Sequence, residues 1–347
     1  MTVATRPAVG ALLVAFLLLG AYAHASGQSA ARQVVRIGFF ANVTQSQALV
    51  GLARGDFAKS LGPEVKVEAR AFNAGPSVIE ALFAGQLDVA YVGPNPAING
   101  YVKSRGEALR VVAGAASGGA SLVVRAGSGI RSPRGLDGRT IATPQLGNTQ
   151  DVALRGYLAT LGLSPRENGG TVAIVPMDNP AILEAFRLGR IDGAWVPEPW
   201  ASRLEVEGNG QLLIDERTLW PGGEFATALI IASRRMLNER RNELKSILRA
   251  HVKITRWELA SADAALRAAN EEIKEVTGAE LPLPTLQRAW ARMKPTWDPL
   301  TATLQRSADN AFAAGFLKSR ADLSGLVDAG PLNEVLAEEH LPPLEGR

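Results

Sequence analysis

No cysteine occurs among the 347 residues, and histidine occurs three times. The first absence excludes disulfides, thiolate metal sites and a lipid-modified cysteine anchor. The second leaves little from which to build a metal or acid–base centre. His24 lies near the N-terminus, His340 near the C-terminus, and His251 on the apolar side of a helical pattern, where it reads as a core residue. No metal-ligand cluster is expected, and no His is placed as base to a Ser. A G-x-S-x-G elbow is missing, as are the P-loop and G-x-G-x-x-G spacings, so neither a hydrolase nucleophile nor a nucleotide is indicated, and no cofactor is expected. Charge of one sign is not in excess either. Lys and Arg number 37 against 34 Asp and Glu. No basic stripe with interleaved aromatics appears, so nucleic acid is not an expected partner.

What is present is an ordinary globular balance, 46% hydrophobic and 20% charged, over a length that implies about two domains. The N-terminus stands apart. Arg6 precedes an apolar run from Ala8 to Leu19, and Ala23-His24-Ala25 fits a small-x-small cleavage pattern. The run falls short of the roughly 20 residues of a membrane span. Residues 1–25 therefore read as a signal peptide, with cleavage there or a few residues later. An exported protein without disulfides, relying on its cores, fits the bacterial periplasm.

After this leader, strand and helix patterns alternate: VVRIGFF (34–40), a polar loop at 41–46, a helix from Ala48 to Leu61, VKVEARAF (65–72), a helix ending at Gly85, and LDVAYVG (87–93) leading to Gly93-Pro94-Asn95-Pro96. This order predicts a mostly parallel sheet with helices on its faces. It recurs about 104 residues later. EALFAGQLDVAYVGP (80–94) aligns with EAFRLGRIDGAWVPE (184–198), repeating Glu80/Glu184, Gly85/Gly189, Asp88/Asp192 and Val92/Val196 at equal offsets. A repeat this long implies duplicated α/β lobes and not a solenoid. Glycine-rich patches flank SLVVR within 114–130, and another strand follows at 225–237; these are expected to be two hinge crossings. Lobe two then spans 128–224, and lobe one comprises 34–127 and 225–347, its last part helical with helices near 284–293, 299–317 and 331–339.

Ligands of open α/β sheets sit beyond the carboxyl ends of the strands. The loop TPQLGNTQD (143–151) is the most telling of those ends: a strand, a glycine turn, then a helix whose first N–H groups are unpaired. Asn148 or Thr149 can cap that helix, and Gly147 lets an anion approach the backbone. The result is an anion cradle without a lysine.

With these loops, the hinge and the leader, the chain resembles the periplasmic substrate-binding proteins of ABC importers, in particular the aliphatic-sulfonate, taurine and nitrate branch. The residues that carry the likeness are GQLDVAYVGPNP (85–96), SPRGLDGRTIATPQLGNTQD (132–151) and MDNPAILEAFRLGRIDGAWVPEPWASRL (177–204). The resemblance implies a two-lobed periplasmic-binding-protein-like fold with two hinge crossings, non-catalytic capture of a small organic oxyanion, and delivery to an inner-membrane permease by a monomeric protein. Its binding loops fall on Asn42, Thr44, Gly93, Asn95, Ser117, Asn148, Thr149, Gln150 and Glu198. None of these is Arg or Lys, which suits a sulfonate held by neutral donors and counts against a guanidinium clamp.

Several residues have two roles open to them. Glu198 is either a carboxylate at a helix start or the partner of a ligand amine, as in taurine. Trp200 can form an apolar wall for a ligand, whereas Trp195 fits core packing. Asp88 and Asp192, at the strand starts, read as structural. Nitrate, taurine and pyrimidine precursors remain alternative ligands. An enzyme acting on small carboxylic acids, or a sensor module, is a possible alternative on the same fold, since fold does not decide function.

Overall fold

The computed structural model describes residues 1–2 and 33–344. The signal-peptide expectation falls outside the described residues.

Two sheets organise the chain. The first has six strands in the order β11-β4-β10-β3-β1-β2, the second five in the order β7-β6-β8-β5-β9. Their ranges are β1 Gln33–Phe39, β2 Val65–Ala71, β3 Val89–Val92, β4 Leu109–Gly118, β5 Ala120–Arg125, β6 Thr140–Thr143, β7 Ala173–Pro176, β8 Gly193–Pro197, β9 Gly210–Asp215, β10 Ala226–Ser233 and β11 Met293–Pro295. β1, β2 and β3 run parallel, as do β6, β7 and β8. One antiparallel strand is inserted into each set, β10 against β3 and β5 against β8. Apart from β11, the two sheets have the same order.

The duplication extends to single hydrogen bonds. Arg36 N–H donates to Asp88 Oδ2 at 2.8 Å, and Thr140 N–H donates to Asp192 Oδ2 at 2.9 Å. Each aspartate's own N–H returns the bond, to the Arg36 and Thr140 carbonyls. The repeated aspartates thus fix the third strand of each lobe against the first, since a carboxylate fed by a backbone N–H gives a strong charge-assisted bond.

Apolar side chains cover both faces of each sheet. The helices Arg241–Ala260, Ala262–Thr277 and Gly330–Glu338 close one face of the first sheet around Ile37, Tyr91, Ile230, Leu248 and Leu336, all fully buried. In the second lobe Phe186 and Val196 lie on one side, Leu158 and Trp195 on the other.

Five boundaries differ from the sequence expectation. β5 joins the second sheet, so the first crossing is the pair Gly118-Gly119, with φ of +74° and +80°, and not residue 127/128. That backbone region favours glycine. The helix expected over 48–61 is two, Ser46–Ala53 and Asp56–Leu61, broken at Gly55 with φ +68°. Pro94-Asn95-Pro96 begins the helix Pro94–Lys103, because proline is tolerated where no intrahelical N–H bond is needed. Trp200 likewise starts the helix Trp200–Val206. The helix expected over 284–293 ends at Trp290, and β11 follows it onto the edge of the first sheet.

His251 sits in the core as expected, within 3.1 Å of the Tyr91 hydroxyl, and burial pushes its pKa down to about 4. Seven residues on, Glu258 is fully buried. Its Oε2 accepts from Ser46 Oγ at 3.0 Å, and burial pushes its pKa up to about 8 against that bond. Between its ordinary value and 8, the folded protein keeps a proton that the unfolded chain has released. Stability from this group is therefore present at low pH and lost as pH rises through 8. His251 has the opposite sign, losing stability as pH falls below about 6.5. Glu258→Gln removes only the first term. Thermal melts of both proteins should show the variant gaining on the wild type from pH 5 to pH 8; a difference independent of pH would mean that Glu258 titrates normally.

Candidate ligand cleft

The carboxyl ends of both sheets face each other across a cleft. Its cavity, about 20 Å³, is lined by residues of both lobes, among them Asn42, Thr44, Gly93, Asn148, Thr149 and Gln150. Phe40, Gln45, Asn73, Asn179, Pro197 and Thr227 complete the lining, so no charged side chain faces this space. The positive potential comes instead from backbone. The helices Pro94–Lys103, Thr149–Thr160 and Asn179–Arg187 begin beside the cavity, and each N-terminus carries part of a positive charge.

The cradle is more occupied by its own chain than its sequence implied. Asn148 Oδ1 accepts the Thr149 N–H at 2.8 Å, the cap expected of it. The Gly147 N–H, expected to meet an anion, donates to Asp151 Oδ2 at 2.8 Å instead. Asp151 also takes Thr143 Oγ1 and pairs with Arg155 at 3.2 Å, so it is a buried brace for the loop. Burial pushes its pKa up despite these bonds. What the loop presents to the cleft is the Thr149 hydroxyl and the Gln150 amide. Thr149 Oγ1 is buried with no partner among the described residues, as is Asn179 Oδ1. Unmet buried polar atoms cost about 1–3 kcal/mol each, so they mark a place where a partner belongs.

The other expected residues are distributed differently. Trp200 Nε1 donates to Asn42 Oδ1 at 2.8 Å, joining the lobes and leaving the Asn42 NH₂ for the cavity. Trp200 thus orients a donor and does not line the cavity. Asn95 Nδ2 donates to the Ser307 carbonyl at 2.9 Å and lines an adjoining space. Ser117 lies on β4 beside the crossing, in register with Ala226 and Lys294 and away from the cavity lining. Glu198 corrects the expectation of a ligand amine. It is fully buried, its Oε2 accepts the Ser202 N–H at 3.0 Å, and its Oε1 pairs with Arg292 at 3.1 Å. Burial pushes its pKa up against the pull of the Ser202 N–H and the guanidinium. Arg292 also reaches Glu205 at 2.6 Å, tying the C-terminal part of lobe one to lobe two.

Gln45 and Thr227 were missed as site residues, while Asn179, in a strand-end loop expected to face the cleft, was not singled out as one. Asn179 had a signal, since DNP (178–180) aligns with the helix start at Gly75-Pro76. Thr227 comes from the returning strand β10, where no motif marks it.

Residues 28–272 match the NMT1-like family, and the chain belongs to it. It is 30% identical over 176 residues to the taurine-binding periplasmic protein of Escherichia coli K12, a match covering 51% of this chain and 52% of that protein. The chain thus spans about half the length of the curated relative it matches. Among solved structures, the alkanesulfonate-binding protein SsuA from Xanthomonas axonopodis pv. citri, bound to MOPS, superposes with a TM-score of 0.69 at 24% identity, covering 86% of this chain and 99% of that one. The periplasmic nitrate-binding protein NrtA from Synechocystis PCC 6803 gives 0.72 at 14% identity, covering 89% and 90%. The fold is that of the periplasmic binding proteins.

Two predictions follow from contacts between the lobes. A Cβ on Gly93 would stand 2.3 Å from Thr149 Oγ1, although the Gly93 backbone, at φ −72°, accepts any residue. Gly93→Ala should fold normally but hold the lobes apart or turn the hydroxyl away, weakening ligand by about tenfold or more, roughly 1.4 kcal/mol. Titration calorimetry of the variant checks this, and undiminished affinity would remove Thr149 from the closed site. Arg292→Met should destabilise by about 3–5 kcal/mol in urea unfolding, because the fully buried Glu198 carboxylate loses its cation. The loss should be larger at pH 8 than at pH 5, where Glu198, its pKa pushed up by burial, protonates more readily.

Proposed function

We propose that this protein is a non-catalytic solute-binding component of an ABC importer, exported to the periplasm and released there without a lipid anchor. It captures a small organic oxyanion, an aliphatic sulfonate first among the candidates, and hands it to an inner-membrane permease as a monomer. The observation that carries this is the cavity lining: amides, hydroxyls and helix N-termini from both lobes, with no charged side chain. A sulfonate stays ionised at all physiological pH and cannot donate a proton, so it needs donors only. Neutral donors supply these without burying a counter-ion whose desolvation would cost several kcal/mol. The names of the relatives, which bind taurine, alkanesulfonate and nitrate, agree with an oxyanion. The amine of taurine has no carboxylate in this cavity to meet, so simple alkanesulfonates come before taurine.

Binding to both lobes favours the closed arrangement, since only there do both sets of donors reach one ligand. A thermal-shift panel of methanesulfonate, taurine, nitrate, sulfate and a pyrimidine carboxylate tests the reading. A ligand at 100 times its dissociation constant adds about 2.7 kcal/mol of stability. Sulfonates should raise the midpoint in the wild type and much less in Thr149→Ala. A panel in which no anion shifts the wild type would refute an oxyanion-binding role.

A further inference from the structure

The cleft cavity is too small for a whole organic anion. At about 20 Å³ it has room for little more than one water molecule. Thr149 also lines a second chamber of about 250 Å³ on its far side, again between the lobes. A cavity of roughly 150 Å³ is enough to hold benzene. This chamber runs along the helix Thr149–Thr160, past Val152, Ala153, Gly156 and Tyr157, and is closed opposite by Asn95, Arg306, Ser307 and Asn310 of lobe one.

Its far wall is aromatic and held rigidly. Trp220 stacks on Phe225 with centroids 5.3 Å apart and planes 9° off parallel, and the Arg306 guanidinium lies 4.4 Å from the Trp220 centroid. Tyr157 meets Trp195 edge-on at 5.4 Å. Glu216 fixes both indoles, accepting Trp195 Nε1–H at 2.8 Å and the more distant Trp220 Nε1–H at 3.4 Å. Among the described residues it is the only carboxylate lining either space, and it is 3% exposed. Burial pushes its pKa up to about 7, with both indole N–H groups pulling down. Its oxygens are spent on the wall, so the chamber offers a tail the Tyr157 and Trp220 rings, with amides and hydroxyls of Asn95, Thr160, Ser307 and Asn310 and the Arg306 guanidinium around them. Gly156 is packed directly against the Asn310 side chain, so the small residue Ala153 is what leaves the near side open.

We propose that this chamber is the tail compartment of the ligand site, and that the protein takes sulfonates carrying a ring-sized tail, with the oxyanion at Thr149 and the ring beside Tyr157 and Ala153. This rests on the oxyanion reading above. Calorimetric titration with benzenesulfonate and methanesulfonate, on the wild type and on Ala153→Leu, separates the two. Leucine at 153 fills the chamber from a helix that accommodates it well. The wild type should prefer benzenesulfonate, and the variant should weaken it by about tenfold or more while methanesulfonate stays within about twofold. Ala153→Met, with a more adaptable side chain, repeats the measurement should leucine prevent folding. Methanesulfonate binding as tightly as benzenesulfonate in both proteins would overturn the tail compartment and leave the oxyanion site standing. Equal weakening of both ligands would also overturn it, since residue 153 would then act on closure. Failure of both sulfonates to bind the wild type would sink the oxyanion reading and the proposal with it.

Discussion

Each lobe depends on a strand that the other lobe sends to it. β10 arrives from lobe two and lies between β3 and β4; β5 arrives from lobe one and lies between β8 and β9. Both are central, so the crossings leave the sheets beside the cleft and not at their outer edges. The constraint explains why two adjacent glycines, at positive φ, stand at the first crossing: the chain must leave one sheet at Gly118 and enter the other at Ala120. It also explains how Thr227, on β10 just past the second crossing, reaches the cavity lining.

Around that frame, charge and ligand donors are kept apart. Buried and half-buried ions occur, but they brace backbone or join the lobes: Asp88 and Asp192 between strands, Asp151 under the loop, Arg292 between Glu198 and Glu205. The cavity itself is left to hydroxyls, amides and helix starts. Desolvating a guanidinium beside the ligand would require its own compensation, whereas backbone dipoles are already oriented by the fold.

Local pattern was enough for much of this. The repeat at 104 residues, with Asp88 and Asp192 at equal offsets, correctly implied two alike sheets and a structural use for both acids. TPQLGNTQD correctly implied a strand, a turn and a capped helix. The failures share a cause, which is that the deciding partner lies far away in sequence. Glu198 looked free because Arg292, which holds it, is 94 residues on. Gly147 is the exception: its partner Asp151 is only four residues on, and the composition of the loop does not say that this carboxylate turns back to its N–H. SLVVR has the composition of a hinge strand, and only pairing with β8 assigns it to the second sheet. Glu216 and Trp220 had no motif at all; their position opposite the helix Thr149–Thr160 is a property of the assembled lobes.

The exchanged strands also bear on how the molecule comes into being. A polypeptide ending at Gly118 would hold β3 and β4 but lack the strand that separates them, and the remainder would lack its counterpart if it began after Arg125. Neither half carries a complete sheet, so the two lobes, despite separate cores, form one cooperative unit. Two copies of a single ancestral half would have met the same need by trading strands, as a domain-swapped dimer does. Joining them in one chain frees each half to vary on its own, so that a symmetric pair of loops can become an asymmetric site with a head on one side of Thr149 and space on the other.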